Sequence, residues 1–83
     1  MKIIHENCDK DLANDTTLPN NAYVIHYRVG GVDCYDISQA SKTVELFDHY
    51  YDKYKENFVT MYQAEGRVSP KLWGNEVKSK KKK

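Results

Sequence analysis

With only two cysteines, Cys8 and Cys34, the chain lacks the dense disulfide framework that holds many small secreted folds together. Reduced thiols are the expectation. No apolar run approaches the ~20 residues a membrane-spanning helix requires. Met1-Lys2-Ile3-Ile4 passes at once into His5-Glu6-Asn7, without the apolar stretch of a signal peptide. These absences predict a soluble, cytoplasmic protein with no membrane partner. A glycine-rich phosphate loop is also missing, since Gly30-Gly31 stands between two strand-like runs and Gly66 and Gly74 stand alone. What remains is 83 residues, 40% hydrophobic and 12% aromatic, enough for one small domain and too little for two.

Charge is unevenly placed. The formal net charge is +1, but five of the eleven lysines, Lys78, Lys80, Lys81, Lys82 and Lys83, fall in residues 78–83, so residues 1–77 carry −4. An acidic body with a basic tail is the electrostatic picture. A block of like charge repels itself, so residues 75–83 are expected as a disordered, lysine-rich tail. Such a tail is either a solubilising end or a salt-sensitive grip on nucleic acid driven by counterion release.

Three further regions precede the tail. Residues 7–21 are rich in turn formers and poor in β-branched and aromatic residues, so residues 1–21 read as an irregular amino-terminal arm; a short strand over Met1–His5 is the alternative, though nothing in the arm forces it. From Ala22 the pattern has period two, and Gly30-Gly31 supplies the two positive φ angles of a type I′ hairpin turn. That turn predicts Val29 opposite Val32, Arg28 opposite Asp33, Tyr27 opposite Cys34, His26 opposite Tyr35, Ile25 opposite Asp36 and Val24 opposite Ile37. Tyr23, Ile25, Tyr27, Val29, Val32 and Cys34 then share one face, expected to cover the core. Val24, His26, Arg28, Asp33, Tyr35 and Ile37 share the other.

Ser41 is the expected N-cap of a helix running to about Glu56. Its apolar stripe is Val44, Phe47, Tyr51, Tyr54 and Phe58, widened by Leu46 and Tyr50. Residues 59–64 read as a third strand and 68–73 as a short edge segment, where Pro70 is tolerated for want of an amide donor. The fold class is α+β: residues 22–74 form a small β-β-α-β domain, an antiparallel sheet with one helix packed on one face.

Candidate chemistry is sparse. His26 and Cys34 fall on opposite faces of the predicted hairpin, which argues against a shared metal site. Glu45 and His49, one helical turn apart, match an ordinary exposed helix pair as well as a cation site. Cys34 on the core face and Cys8 in the arm have no evident activating base, so no catalytic residues, no metal and no cofactor are assigned. The seven tyrosines invite base stacking, but Tyr23, Tyr27, Tyr51 and Tyr54 are expected in the core. Protein binding is the class that remains. The second sheet face is half apolar, and Val24, His26, Arg28, Tyr35 and Ile37 are its expected contact patch, with Glu45, Asp48 and Asp52 as an alternative electrostatic face. Self-association would use the same surfaces. Trp73 either closes the core or anchors an interface.

The run Tyr27-Arg28-Val29-Gly30-Gly31-Val32-Asp33, the run Leu46-Phe47-Asp48-His49-Tyr50-Tyr51-Asp52-Lys53-Tyr54, and residues 65–73 (Glu-Gly-Arg-Val-Ser-Pro-Lys-Leu-Trp) resemble small accessory proteins of bacteriophages that infect marine cyanobacteria. The β-β-α-β order is also similar to that of a small phage inhibitor of bacterial RNA polymerase. The resemblance transfers no activity; beside it, the small size, the lack of a catalytic constellation, the acidic body and the half-apolar second sheet face predict a non-enzymatic, phage-type accessory protein in the cytoplasm of an infected cell, binding an unidentified host protein and modulating its activity. A nucleic-acid-associated protein using Lys78, Lys80, Lys81, Lys82 and Lys83, or a minor virion component, is the alternative.

Overall fold

The computed structural model describes residues 1–9, 11–12, 17–63 and 76–77. Its architecture grows from the hairpin. Gly30 and Gly31 have φ of 58° and 80°, the pair of positive angles a type I′ turn needs. Strands β2 (Ala22–Val29) and β3 (Val32–Gln39) close around them in the expected register, from Val29 opposite Val32 to Val24 opposite Ile37. A helix, α1 (Thr43–Tyr54), and one 3-10 turn (Lys55–Asn57) lead to β4 (Phe58–Gln63), which pairs on the other side of β2. The α+β class and the order of these four elements are as expected. No helix among the described residues is long and apolar enough to cross a membrane.

Two strands extend that unit. Residues Lys2–Cys8, expected within an irregular arm, form β1 along β3, and Glu76–Val77, expected within the tail, form β5 along β4. The sheet order is β1-β3-β2-β4-β5 and every pair is antiparallel. Local propensity alone does not decide β1, because its ladder slips between Ile3 and His5 and again between His5 and Cys8. The edge of β3 recruits it. The expected segment 68–73, and Trp73 with it, lies outside the described residues.

Helix α1 covers one face of the sheet. Leu46, Phe47 and Tyr50 are buried with Tyr23, Ile25 and Met61, and Ala40, Tyr54 and Phe58 pack around them. Val44 and Tyr51, expected in the stripe, are 42% and 50% exposed. The buried stripe is rotated so that Tyr50 and Tyr54 face β3. The N-cap is Lys42, which makes no side-chain capping bond, and not Ser41. Thr43 is fixed through its hydroxyl, 2.6 Å from Tyr23 Oη on β2. Lys55 has φ of 50°, where a side chain is disfavoured, and the α-helix stops there.

The helix is shorter than the hairpin beneath it. Twelve residues at 1.5 Å each span about 18 Å, whereas the eight residues of β2 span about 26 Å. α1 therefore does not reach over the far end of the hairpin. Val29 and Val32, expected in the core, are 49% and 62% exposed.

The second face carries the larger correction. Val24 and Ile37, expected on a half-open patch, have no exposed surface, and Tyr35 retains 7%. They form a second apolar cluster with Cys8, Leu18 and Ala22, and Ile4 packs against it. The cause is topological. β1 and β2 are both antiparallel to β3 and lie on either side of it, so they are parallel to each other and their link has to return along the sheet. Leu18, on that link, seals the face that α1 leaves uncovered. Leu18→Ala is expected to lower unfolding stability by about 2–3 kcal/mol, through lost transfer energy and the cavity it leaves. Denaturant titration of the two proteins checks this; a loss under ~0.5 kcal/mol contradicts the sealing role.

Two polar side chains, Asp36 and Ser38, are buried within the helix-covered face. Asp36 has no exposed surface, and three donors converge on its carboxylate. The Asn7 amide donates to Oδ1 at 2.5 Å, Tyr27 Oη to Oδ1 at 3.2 Å, and Tyr54 Oη to Oδ2. The Tyr27 and Tyr54 rings stack with centroids 3.7 Å apart. One step along β3, the Ser38 hydroxyl lies 2.5 Å from Tyr50 Oη. Lys53 reaches from the helix to Glu6 on β1 at 2.8 Å and sits 5.2 Å from the Tyr54 ring centre.

Burial, with the Asp36 charge beside it, pushes the Tyr27 phenol up to about 12 from its ordinary 10.0. Burial also raises Tyr54, as does its hydrogen bond to Asp36, and burial raises Tyr50. A phenol whose folded value exceeds its unfolded value contributes stability fully present below the unfolded value. Stability from this source is therefore complete below pH 10 and is lost as pH rises through about 12. Circular dichroism unfolding at pH 8, 10 and 12 is expected to be unchanged over the first interval and to fall steeply over the second. Tyr27→Phe, which removes one of these titrations, should have a shallower alkaline limb even though it is less stable at neutral pH; an identical limb excludes Tyr27 as its source.

Candidate functional site at the hairpin end

The five residues expected as one patch do not stay together. Val24, Ile37 and Tyr35 are covered by the cluster containing Leu18, while Arg28 faces solvent with 59% of its side chain exposed and His26 retains 16%. Strand geometry explains the split. All five share a face, but Leu18 and Cys8 pack only on its inner part, against Val24, Tyr35 and Ile37, and Arg28 nearer Gly30-Gly31 is exposed.

At that end Asp33 organises the polar groups. Its Oδ1 accepts from Arg28 Nε at 2.8 Å and from His26 Nε2 at 3.1 Å. A carboxylate only accepts, so the second bond requires the His26 proton on Nε2. The His26 ring stacks on Tyr35, centroids 4.7 Å apart and planes within 14°. The Arg28 guanidinium, and then His26, hold the Asp33 carboxyl below its usual range, so Asp33 is a fixed anion at neutral pH. Burial, with Asp33 nearby, raises the Tyr35 phenol. The arrangement orients an imidazole, but Cys34 lies on the opposite face of the hairpin, opposite Tyr27. What it forms is a charged rim cross-linked by hydrogen bonds.

The opposite face of the same end is apolar. Val29 and Val32 are directly paired, and Cys34, two residues on from Val32, is half-buried with its thiol directed to the Val32 carbonyl at 3.7 Å. At the carboxyl end of α1, half-exposed Tyr51 packs on Phe58 with centroids 5.5 Å apart, and Phe58 is paired with Tyr27. Val59, 48% exposed, marks the slip in the ladder between β2 and β4. The valine pair was missed as surface because the turn predicts which face each residue takes, not how far the helix reaches. The signal was present in the lengths, since a helix ending near Glu56 is shorter than the hairpin it covers.

The other expected sites lie elsewhere. Glu45 and His49 line a shallow depression of about 240 Å³ with Met1, Ala40, Ser41, Lys42 and Leu46, at the amino end of α1 and therefore at the far end of the sheet from His26. Glu45 is spent on Lys42 at 3.7 Å, Asp48 is half-buried and Asp52 is exposed. No group of three or more metal-ligating side chains is assembled among the described residues. Residues 78–83 lie outside the described residues.

The two thiols differ in access. Cys8 is 6% exposed and its thiol is pushed up by burial, whereas Cys34 borders the exposed valines. A maleimide is expected to modify Cys34 at least tenfold faster than Cys8 in the native state, as peptide mapping after timed quenching would reveal; equal rates would mean β1 does not stay seated. No protein-family model matches this chain, and neither a curated protein nor a solved structure is significantly similar to it.

Proposed function

We propose that the chain is a non-enzymatic, phage-type accessory protein that binds a host protein in the cytoplasm of the infected cell and inhibits or otherwise modulates it. One observation supports this reading most. Val29 and Val32 stand side by side, 49% and 62% exposed, while the same sheet face is buried beneath α1. An apolar pair on a rigid hairpin end gives a partner area to bury at little cost in ordering. Arg28, Asp33 and His26 on the reverse face supply a charged rim that favours one orientation and one partner over others. The contact surface moves accordingly. Arg28 and His26 remain in it, Tyr35 supports the His26 ring, and Val24 and Ile37 give way to Val29 and Val32.

A second reading, nucleic-acid association through Lys78, Lys80, Lys81, Lys82 and Lys83, rests on the concentration of positive charge in residues 78–83 of an otherwise acidic chain. Affinity capture from a nuclease-treated cyanobacterial lysate separates the two. A variant carrying Val29→Ser, Val32→Ser and Arg28→Glu is expected to lose at least tenfold in capture of a protein that the parent retains, a change of about 1.4 kcal/mol or more. A variant with those five lysines changed to Gln should capture it as the parent does. If the hairpin variant keeps its circular dichroism spectrum and captures the same protein equally well, the hairpin end is not the contact. If only the lysine variant fails, and nuclease abolishes capture by the parent, nucleic acid is the partner.

A further inference from the structure

The first strand carries an inference that is independent of the hairpin end. Of the seven residues of β1 only Cys8 is buried, against five of eight in β2 and four of eight in β3. The two apolar clusters depend on β1 unequally. The cluster beneath α1 contains no β1 residue, and the cluster on the second face takes from β1 only Cys8 and the partly buried Ile4. Its ladder with β3 slips twice, and Asn7 holds a φ of 61°. Among the described residues two polar ties complete the attachment, the Asn7 amide to Asp36 and the exposed pair of Glu6 with Lys53.

Without β1 most of the bonding elsewhere persists. Leu46, Phe47 and Tyr50 still pack on Tyr23, Ile25 and Met61, and β3 keeps its unslipped ladder with β2. Asp36 loses the Asn7 amide but keeps Tyr27 and Tyr54 as donors. That lost bond, to a charged group, keeps an open state in the minority. The two edges also differ in kind. The outer edge of β1 is bulged and carries Lys2 and Glu6, features that blunt a strand edge, whereas the edge of β3 beneath it is regular.

We infer that β1 is a releasable strap: it lifts from β3 as one unit while β2, β3, α1 and β4 stay folded, uncovering Cys8 and the outer backbone edge of β3. Openings within a native protein range from nearly free to as costly as global unfolding, and a strand with few buried apolar contacts belongs at the low end. Closed, the strap guards a regular edge whose main-chain donors and acceptors would otherwise template the pairing of another extended chain.

The pleat of β3 makes this measurable. A type I′ turn bonds its first and last residues, here Val29 and Val32. Alternation along the unslipped ladder then sends the Cys34, Asp36 and Ser38 amides to β2 and the Tyr35 and Ile37 amides to β1. Amide hydrogen exchange of the ¹⁵N-labelled full-length protein, read by NMR, is expected to show Asn7, Tyr35 and Ile37 sharing one protection factor, roughly tenfold or more below that of Cys34, Asp36 and Ser38. Ile25→Val, within the cluster beneath α1, weakens the closed and the open state equally. It should therefore lower protection of Cys34, Asp36 and Ser38 by about two- to twelvefold and leave Asn7, Tyr35 and Ile37 unchanged. If all six amides share one protection factor and fall together in Ile25→Val, β1 opens only with the whole fold. If Asn7, Tyr35 and Ile37 differ among themselves, the edge frays residue by residue. Either result overturns the inference.

Discussion

A carboxylate with no access to water is the constraint on which the rest of this fold depends. Burying an ionised group is expensive unless its lone pairs are occupied, and an apolar face offers no donors. Asp36 obtains three, from Asn7 on β1, Tyr27 on β2 and Tyr54 on α1. Each comes from a different element, so the group is satisfied only when all three are in place. The helix is aligned with β3 for the same reason. Tyr50 and Tyr54 are four residues apart, about 6 Å along a helix, and Ser38 and Asp36 are two apart, about 7 Å along a strand. The two hydroxyls therefore reach the two β3 side chains when α1 runs antiparallel to that strand.

The same requirement explains features that look like defects. Asn7 has φ of 61° and lies where the ladder between β1 and β3 slips. A regular strand residue would direct its amide into the sheet. The positive φ, which asparagine tolerates better than most residues, turns the amide toward Asp36 instead. The surface pair of Lys53 with Glu6 also joins α1 to β1, with the Lys53 ammonium 5.6 and 5.2 Å from the Tyr50 and Tyr54 ring centres. Bulging in β1 is thus the geometry by which an edge strand supplies a core hydrogen bond.

How much of this was legible in the sequence depends on the range over which each feature is decided. The hairpin register was legible in full, because a two-residue turn with two glycines fixes which residues face each other whatever the remainder of the chain does. That register already placed Asp36 opposite Ile25, on the face the helix covers; a carboxylate there was a signal that donors must come to it, and the tyrosine-rich helix was their evident source. The second face was not legible. Its burial depends on Leu18, in a segment whose composition reads as irregular, reaching Val24 and Ile37 through a strand pairing that no local pattern dictates. The end of the core was half legible, since the lengths of helix and hairpin were both readable but only their alignment shows where cover runs out.

Stiffness and exposure meet at that end. The residues just inward of the tip, Tyr27 and Asp36, are bonded to each other and, through Tyr54, to the helix, whereas the residues at the tip, Val29 and Val32, are exposed. A loop bearing two valines would have to be ordered on binding, at roughly 1–2 kcal/mol per backbone residue. Here the turn fixes the apex, Asp33 cross-links the strands through Arg28 and His26, and the stacked Tyr27 and Tyr54 anchor the hairpin to the helix. The ordering is done by folding. The network that satisfies one buried charge therefore also determines which apolar side chains stay outside and holds them in one geometry, and this links the core of the fold to the surface proposed to act.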